Sequence, residues 1–413
     1  MTQTSFHERD SQSARPFLFV WLIYSVAMLL GVKFLLFPSG LTERMDFRAM
    51  YSGGYLARTA PTNLYSLDLQ KQIQDRYVSK AEGLLPYYHP PYEALLFAPL
   101  SKLPFRSAYV AFLIANLSLL AACFFLCREA LSQPGTLAQP KPGLQIFLFY
   151  PVVAALLLGQ DSLVFLAGLC AVCIALLRHR LFISGLALSL LLFRPQLAVP
   201  IGFFLAVRFG YSFLAGLFVG CASVSLVSWA LVGWSGLEAF VRLIFLTGSE
   251  NLVKGAPNPL GIPPGMANVK GLVLLTAPSS LSPRGLFIIV FVASFLIVVW
   301  VVKELRKRFL TDKLAFSLSV AAGLVLSFHS NVYDLVILLL PLGLTARETA
   351  RGIVRVSWTF FVVPPFLALL GQKFFSLLCL PLFVLINVLT AESVPLPKKL
   401  QSDRSSVTER KSV

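Results

Sequence analysis

At 413 residues, 57% hydrophobic and only 13% charged, with a mean hydropathy of +0.77, the chain is too apolar for a soluble globular domain and reads as a polytopic membrane protein. Its formal charge of +16 is expected to serve membrane orientation and attraction to anionic lipid, so no nucleic-acid partner is expected.

Residues 1–15 are polar, carry Arg9 and Arg15, and precede an apolar run over 16–37 that is too long for a signal-peptide core and lacks a small-x-small cleavage site. They read as the cytoplasmic N-terminus of an uncleaved anchor. Further apolar segments at about 104–127, 144–158, 161–177, 181–193, 196–208, 211–234, 284–302, 314–328, 332–345, 356–370 and 374–391 bring the expected number of crossings to about twelve. Several are short for a hydrocarbon core of roughly 30 Å and must tilt or sit deep. The basic connections at Arg178 and Arg180, Lys303 to Arg308, Arg347 to Arg355 and Lys398 to Lys411 then share one face, which the positive-inside rule makes cytoplasmic.

The expected architecture is all-α. A single transmembrane domain over 16–395 carries extracytoplasmic loops at 38–103 and 235–283, and a disordered cytoplasmic tail covers 396–413. Both termini are expected in the cytoplasm of a cell whose plasma or inner membrane holds the protein. In the first loop, residues 46–58 have helical character and 64–82 pattern as an amphipathic helix, while Pro86, Pro90 and Pro91 punctuate the stretch after it.

The polar residues that interrupt this apolar background collect on the extracytoplasmic side. Asp46 stands where the chain leaves its first span, either as a helix cap or surface ion-pair partner, or as a general base whose pKa burial raises. Asp161 and Arg194 interrupt apolar segments at tight turns, where they either cap and snorkel or face a polar cavity. Arginine is also the side chain that grips phosphate through paired hydrogen bonds. His329, Asn331, Tyr333 and Asp334 fall at another such turn. In the second loop Lys254, Asn258, Asn268 and Lys270 stand among prolines and glycines, which also suits a solvated irregular segment. All six cysteines lie in apolar spans and read as small hydrophobes, the Cys170–Cys173 spacing included. No nucleotide-binding fingerprint and no metal-ligand spacing is legible.

The series "MDFRAMYSGGYLARTAPTNLY", "YYHPPYEALLFAPLSKLPFRSAYVAFLIANL", "GQDSLVFLAGL", "GLALSLLLFRPQLAVPIGFFL" and "FHSNVYDLVILLLPL" resembles glycosyltransferase family 87, of the GT-C class of integral-membrane enzymes, over about residues 16–391. The resemblance implies transfer of a sugar, mannose or another hexose, from a polyprenyl-phosphate carrier to a hydroxyl of a lipid or glycan acceptor, with inversion. It makes Asp46 the catalytic base, matching the acid that follows the first membrane helix in such enzymes. Arg194, His329, Lys254 and Lys270 become candidates for the donor phosphate, and Tyr87, Tyr88, His89, Asp161 and Asp334 for sugar or acceptor. Asp46 is followed by Phe47 rather than by the second acid of some other GT-C families, so their substrate rules do not transfer. No nucleotide or redox cofactor is implied, no metal ligand is assigned, and the need for a divalent cation stays open. A flippase or transporter of lipid-linked glycan remains the alternative, although it should show inverted repeats and charges at mid-helix. A non-catalytic envelope scaffold is a further one.

Overall fold

The computed structural model describes residues 46–78, 80, 83–131, 149–248, 265–345 and 351–391, together with residue 26. The expected N-terminal segment 1–15, nearly all of the 16–37 crossing, the tail over 396–413, and Lys254 and Asn258 lie outside the described residues. Among the described residues the chain is helical and contains no strand.

The first loop is built from three short helices: α1 (Phe47–Thr59), α2 (Leu67–Tyr77) and α3 (Pro91–Phe97). Ser66 starts α2 by accepting from the Leu69 amide at 3.4 Å, as a serine cap does. The irregular segment between α2 and α3 has no helix or ladder to satisfy its backbone, and two glutamines of α2 do so instead. Gln74 donates to the Leu85 carbonyl at 2.7 Å and accepts from its amide at 3.1 Å, while Gln70 accepts from the Tyr87 amide at 2.7 Å. The result is a firmly held stretch that delivers Tyr88 and His89 to the start of α3. Leu56, Leu64, Tyr65, Ile73 and Tyr87 form its apolar core. α1 lies close against its neighbours, because a Cβ at Gly54 would come within 2.5 Å of the Phe97 backbone.

The apolar bundle continues with α4 (Phe105–Leu131), α5 (Tyr150–Leu158), α6 (Ser162–Leu177), α7 (Leu181–Ser189), α8 (Pro195–Phe209) and α9 (Tyr211–Gly248), the last kinked at Gly233. Next come α10 (Val269–Thr276), α11 (Pro283–Leu305) and α12 (Asp312–Leu326). A 3-10 turn over Val332–Leu338 runs into α13 (Leu339–Thr345), and after α14 (Arg351–Leu370) a second one over Gln372–Leu378 runs into α15 (Cys379–Ala391). Side chains of α6, α8, α12, α13 and α15 make the main core, and α11 turns Phe287, Phe291 and Phe295 outward, as a lipid-facing helix does.

The expectation of about twelve crossings is not confirmed among the described residues. Four helices are long and apolar enough to span: Phe105–Leu126, Tyr211–Phe245, Pro283–Leu305 and Gln372–Ala391. Segments read as separate crossings at 144–158 and 181–193 hold the helices α5 and α7, each nine residues long. At 1.5 Å per residue each rises only about 14 Å, roughly half a hydrocarbon core. Apolar length alone does not distinguish a crossing from a half-length helix that stops at a polar turn. The segment read as ending at 234 instead continues beyond its kink to Gly248, so the expected second loop begins as helix.

What does hold is the gathering of polar residues at one end of the bundle. Arg194 precedes α8, and Arg208 lies in its last turn. Fourteen residues of helix separate them by about 21 Å.

Candidate active site

Four segments begin at one place. Asp46, Asp161 and Arg194 are the residues that precede the first turns of α1, α6 and α8, and Asn331 precedes the 3-10 turn that carries Asp334. Helix starts expose free N–H groups and a partial positive charge, so their convergence favours anions. None of Asp46, Asp161 and Arg194 spends its side chain on capping its own helix. Their polar atoms are turned towards one another.

The turn that closes this arrangement is Gly159, at φ +64°, which ends α5 in the left-handed region. A Cβ there would approach the Phe47 Cβ to 2.7 Å, so this position needs glycine on two counts. Phe47 itself is fully buried among Phe97, Phe105, Tyr109 and Phe112. This aromatic seat fixes the start of α1 beside the Gly159 turn and places Asp46 against Gln160.

Arg194 organises the centre. Its guanidinium donates to Asp161 Oδ1 at 2.5 Å through Nε, to Asp334 Oδ1 through one terminal nitrogen, and to Gln160 Oε1 at 2.5 Å through the other. It also lies over the Tyr333 ring, 5.6 Å from the centroid. The Gln160 amide in turn donates to Asp46 Oδ2, so one glutamine links the arginine to the carboxylate. Asp334 takes further bonds from Ser162 Oγ at 3.2 Å and the Asn331 amide at 2.8 Å. Arg194, Asp161 and Asp334 are buried, whereas Asp46 keeps part of its surface open.

Burial pushes the Asp46 pKa up to about 6, against the lowering effect of Arg194, the Gln160 bond and Arg48. Tyr88 is driven above the usual tyrosine range by burial and then by the Asp46 charge, which places its phenol in the field of that carboxylate.

On the other flank, His89 Nδ1 lies 2.7 Å from Glu93 Oε2 and 3.6 Å from Asp161 Oδ2. Burial opposes a charged His89, yet the Glu93 carboxylate beside it leaves its pKa raised. Burial pushes Glu93 up to about 8. Tyr87 is fully buried and donates to Glu93 Oε2 at 3.3 Å and to the Pro90 carbonyl at 3.2 Å. It orients Glu93 instead of offering an open ring face. One imidazole and two carboxylates, His89, Glu93 and Asp161, thus place a ligand atom each within 4.8 Å of one another, the spacing of a metal site.

Of the residues expected at the site, Asp46, Tyr88, His89, Asp161, Arg194 and Asp334 come together. His329 reaches the cluster's edge, where its Nε2 is 3.3 Å from Asn331 Nδ2, and that amide donates to the Tyr333 hydroxyl at 2.6 Å. Lys270 stands on α10, whose cap Asn268 bonds to Ser330 Oγ at 3.3 Å; no hydrogen bond or ion pair joins Lys270 to the cluster. Lys254 lies outside the described residues. Gln160, Ser162 and Glu93 were not singled out from sequence. The first two adjoin Asp161 in "GQDS", and Glu93 follows His89 at the four-residue spacing that puts two side chains on one helix face.

An all-helical membrane protein with a buried cluster of acids around one arginine, and one half-open carboxylate beside it, has the layout of a membrane-embedded transferase. The chain belongs to glycosyltransferase family 87, whose sequence profile matches residues 87–330, and it is a membrane glycosyltransferase. The match includes His89, Glu93, Gln160, Asp161, Arg194 and His329, while Asp46 and Asp334 fall outside it. No curated protein and no solved structure matches the chain.

Proposed function

We propose that the protein transfers a sugar, mannose or another hexose, from a polyprenyl-phosphate carrier to a hydroxyl of a lipid or glycan acceptor, with Asp46 as general base. The acceptor O–H proton passes to Asp46 as its oxygen bonds to the anomeric carbon. The bond from that carbon to the phosphate oxygen breaks with its electron pair leaving on the lipid phosphate. Attack opposite the leaving group inverts the centre. The ester supplies its own leaving group, so the step needs no nucleotide and no redox cofactor.

The observation that carries this reading is the state of Asp46. It is the one carboxylate joined to Arg194 only through an amide, it is partly open, and it does not cap its helix. A pKa near 6 leaves it ionised at neutral pH but basic enough to take a proton. Asp161 and Asp334 are already committed to Arg194 and suit the binding of sugar hydroxyls at the margin of the cluster. Charge on the departing phosphate would meet the four converging segment starts, the N–H groups of Arg194 not spent on its partners, and His329, with Lys254 and Lys270 as further candidates. In the topology read from basic residues, the polar end of the bundle faces outward across the plasma or inner membrane.

The test is transfer of labelled mannose from polyprenyl-phosphate mannose to membrane lipid extract by purified protein in lipid, wild type beside Asp46→Asn. Transfer by wild type alone supports the reading, and full activity in a folded Asp46→Asn protein overturns the base assignment.

A further inference from the structure

We propose that His89, Glu93 and Asp161 bind a divalent cation of the Mn²⁺ or Mg²⁺ class beside Arg194. The three ligand atoms lie within 4.8 Å of one another, and His89 Nδ1 is 2.7 Å from Glu93 Oε2 and 3.6 Å from Asp161 Oδ2. One imidazole with two carboxylates is a donor set suited to a hard or borderline divalent ion.

An independent observation points the same way. Glu93 Oε1 and Asp161 Oδ2 are buried oxygens to which no donor is hydrogen-bonded, and Glu93 and Asp161 are only 3% and 0% exposed. Orphaned carboxylate oxygens at such depth are costly, and a cation held between two carboxylates offsets that cost. The wider charge balance repeats the problem. Asp46, Glu93, Asp161 and Asp334 put four carboxylates around Arg194, with Arg48 acting on Asp46. Acids outnumber guanidinium groups there, and a divalent ion would let all of them ionise together. Asp161 is already oriented for it, since Arg194 holds Oδ1 and leaves Oδ2 turned towards His89. Tyr87 steadies Glu93 from behind, as an outer-sphere donor does for a ligating carboxylate.

Three protein ligands leave open positions on the ion for water and for a phosphate oxygen. The cation's task rests on the transferase reading: it would draw negative charge from the departing lipid phosphate as a Lewis acid. Its binding does not depend on that reading.

The experiment uses full-length protein in lipid nanodiscs, stripped with chelator and titrated with Mn²⁺, the free ion being read by electron paramagnetic resonance. Saturable binding of one ion per chain is expected, with affinity at least roughly tenfold weaker in His89→Gln and Glu93→Gln, because each loses a direct ligand. Glu238→Gln, at an exposed helix pair, should match wild type. Absence of saturable binding in wild type, or equal affinity in the His89 and Glu93 variants, overturns the assignment. Should those variants fail to fold, the wild type decides by itself: bound Mn²⁺ must show coupling to an imidazole nitrogen, and an ion without it overturns the site. Sugar transfer is followed separately. Binding without transfer supports the site and counts against the transferase reading, whereas transfer without Mn²⁺ binding removes the site and leaves that reading standing.

Discussion

The two ends of α8 each hold an arginine, and they use it in opposite ways. At the C-terminal end Arg208 donates to the carbonyls of Leu305, Lys307 and Leu310 at 3.3, 3.2 and 2.5 Å, with Asp312 a further 3.6 Å partner. Those oxygens belong to the end of α11 and the turn after it, where a helix leaves its last carbonyls unbonded. Arg208 is thus a brace between two helix ends. At the N-terminal end Arg194 bonds no backbone at all. Its three nitrogens go to the side chains of Asp161, Asp334 and Gln160, and Gln160 passes the connection on to Asp46. Bracing can be done with backbone groups that must be satisfied anyway. Gathering several acids around one buried cation costs desolvation that a purely structural end does not need, so the difference marks which end carries chemistry.

The largest effect should come from breaking that asymmetry at its centre. Arg194→Gln strands two buried carboxylates, and loss of one partner of a buried ion pair costs about 3–5 kcal/mol. Thermal unfolding in lipid should show the fall, with transfer activity abolished. Arg208→Gln removes bonds to neutral carbonyls and a longer contact to a partly exposed Asp312, for which about 1–2 kcal/mol and retained transfer are expected. Equal losses of stability and activity in the two variants would erase the comparison. Measuring donor-lipid affinity in any Arg194→Gln protein that folds sharpens it: unchanged affinity would sink the phosphate role of Arg194.

Next in size is Asp46→Asn. General-base catalysis is worth about 10²–10⁴-fold, so transfer should fall by that factor. Stability should move the other way. The folded-state pKa of Asp46 is raised from 3.8 to about 6, so the stability this residue contributes is fully present below the lower value and lost as pH rises through about 6. At neutral pH the ionised carboxylate is the disfavoured form in the folded protein. A neutral asparagine relieves that penalty, and the melting temperature should be equal or higher. An N-cap aspartate would behave in the reverse manner, losing about 1 kcal/mol with no kinetic effect.

The polar end was largely legible in the sequence for the same reason that it is expensive. Asp46, Asp161, Arg194 and Asp334 are conspicuous because each interrupts an apolar stretch, and their alternation with basic turns placed them on a common face. What stayed hidden was uncharged or local. Gln160 is an amide beside a more conspicuous acid, and nothing in its neighbourhood says that it joins two residues 148 positions apart in the chain, Asp46 and Arg194. Glu93 sits in a proline-bounded segment that reads as interfacial, and only its four-residue spacing from His89 could have exposed it. Tyr87 could not be told from Tyr88, because which of two adjacent tyrosines turns inward is settled by contacts with α2 and Glu93. The crossing count is least legible where half-length helices meet at polar turns, since composition records how apolar a segment is and not how far it runs.

Gln160 offers the smallest and most discriminating change. Its amide donates to Asp46 and its carbonyl oxygen accepts from Arg194, so Gln160→Ala separates the base from the cation without altering a charge. If Gln160 only fills space, transfer should fall without any change in its pH dependence. If it positions the base, two things change together. The bond from Gln160 lowers the Asp46 pKa, so its loss lets burial push that pKa higher, and the acid limb of kcat/KM, expected near pH 6 in wild type, should move to higher pH. The maximal rate should drop only about tenfold, because the carboxylate is still present but free to turn. An acid limb that stays near 6 in Gln160→Ala would break the link between the two ends of this relay, and would leave Asp46 and Arg194 as neighbours that act separately.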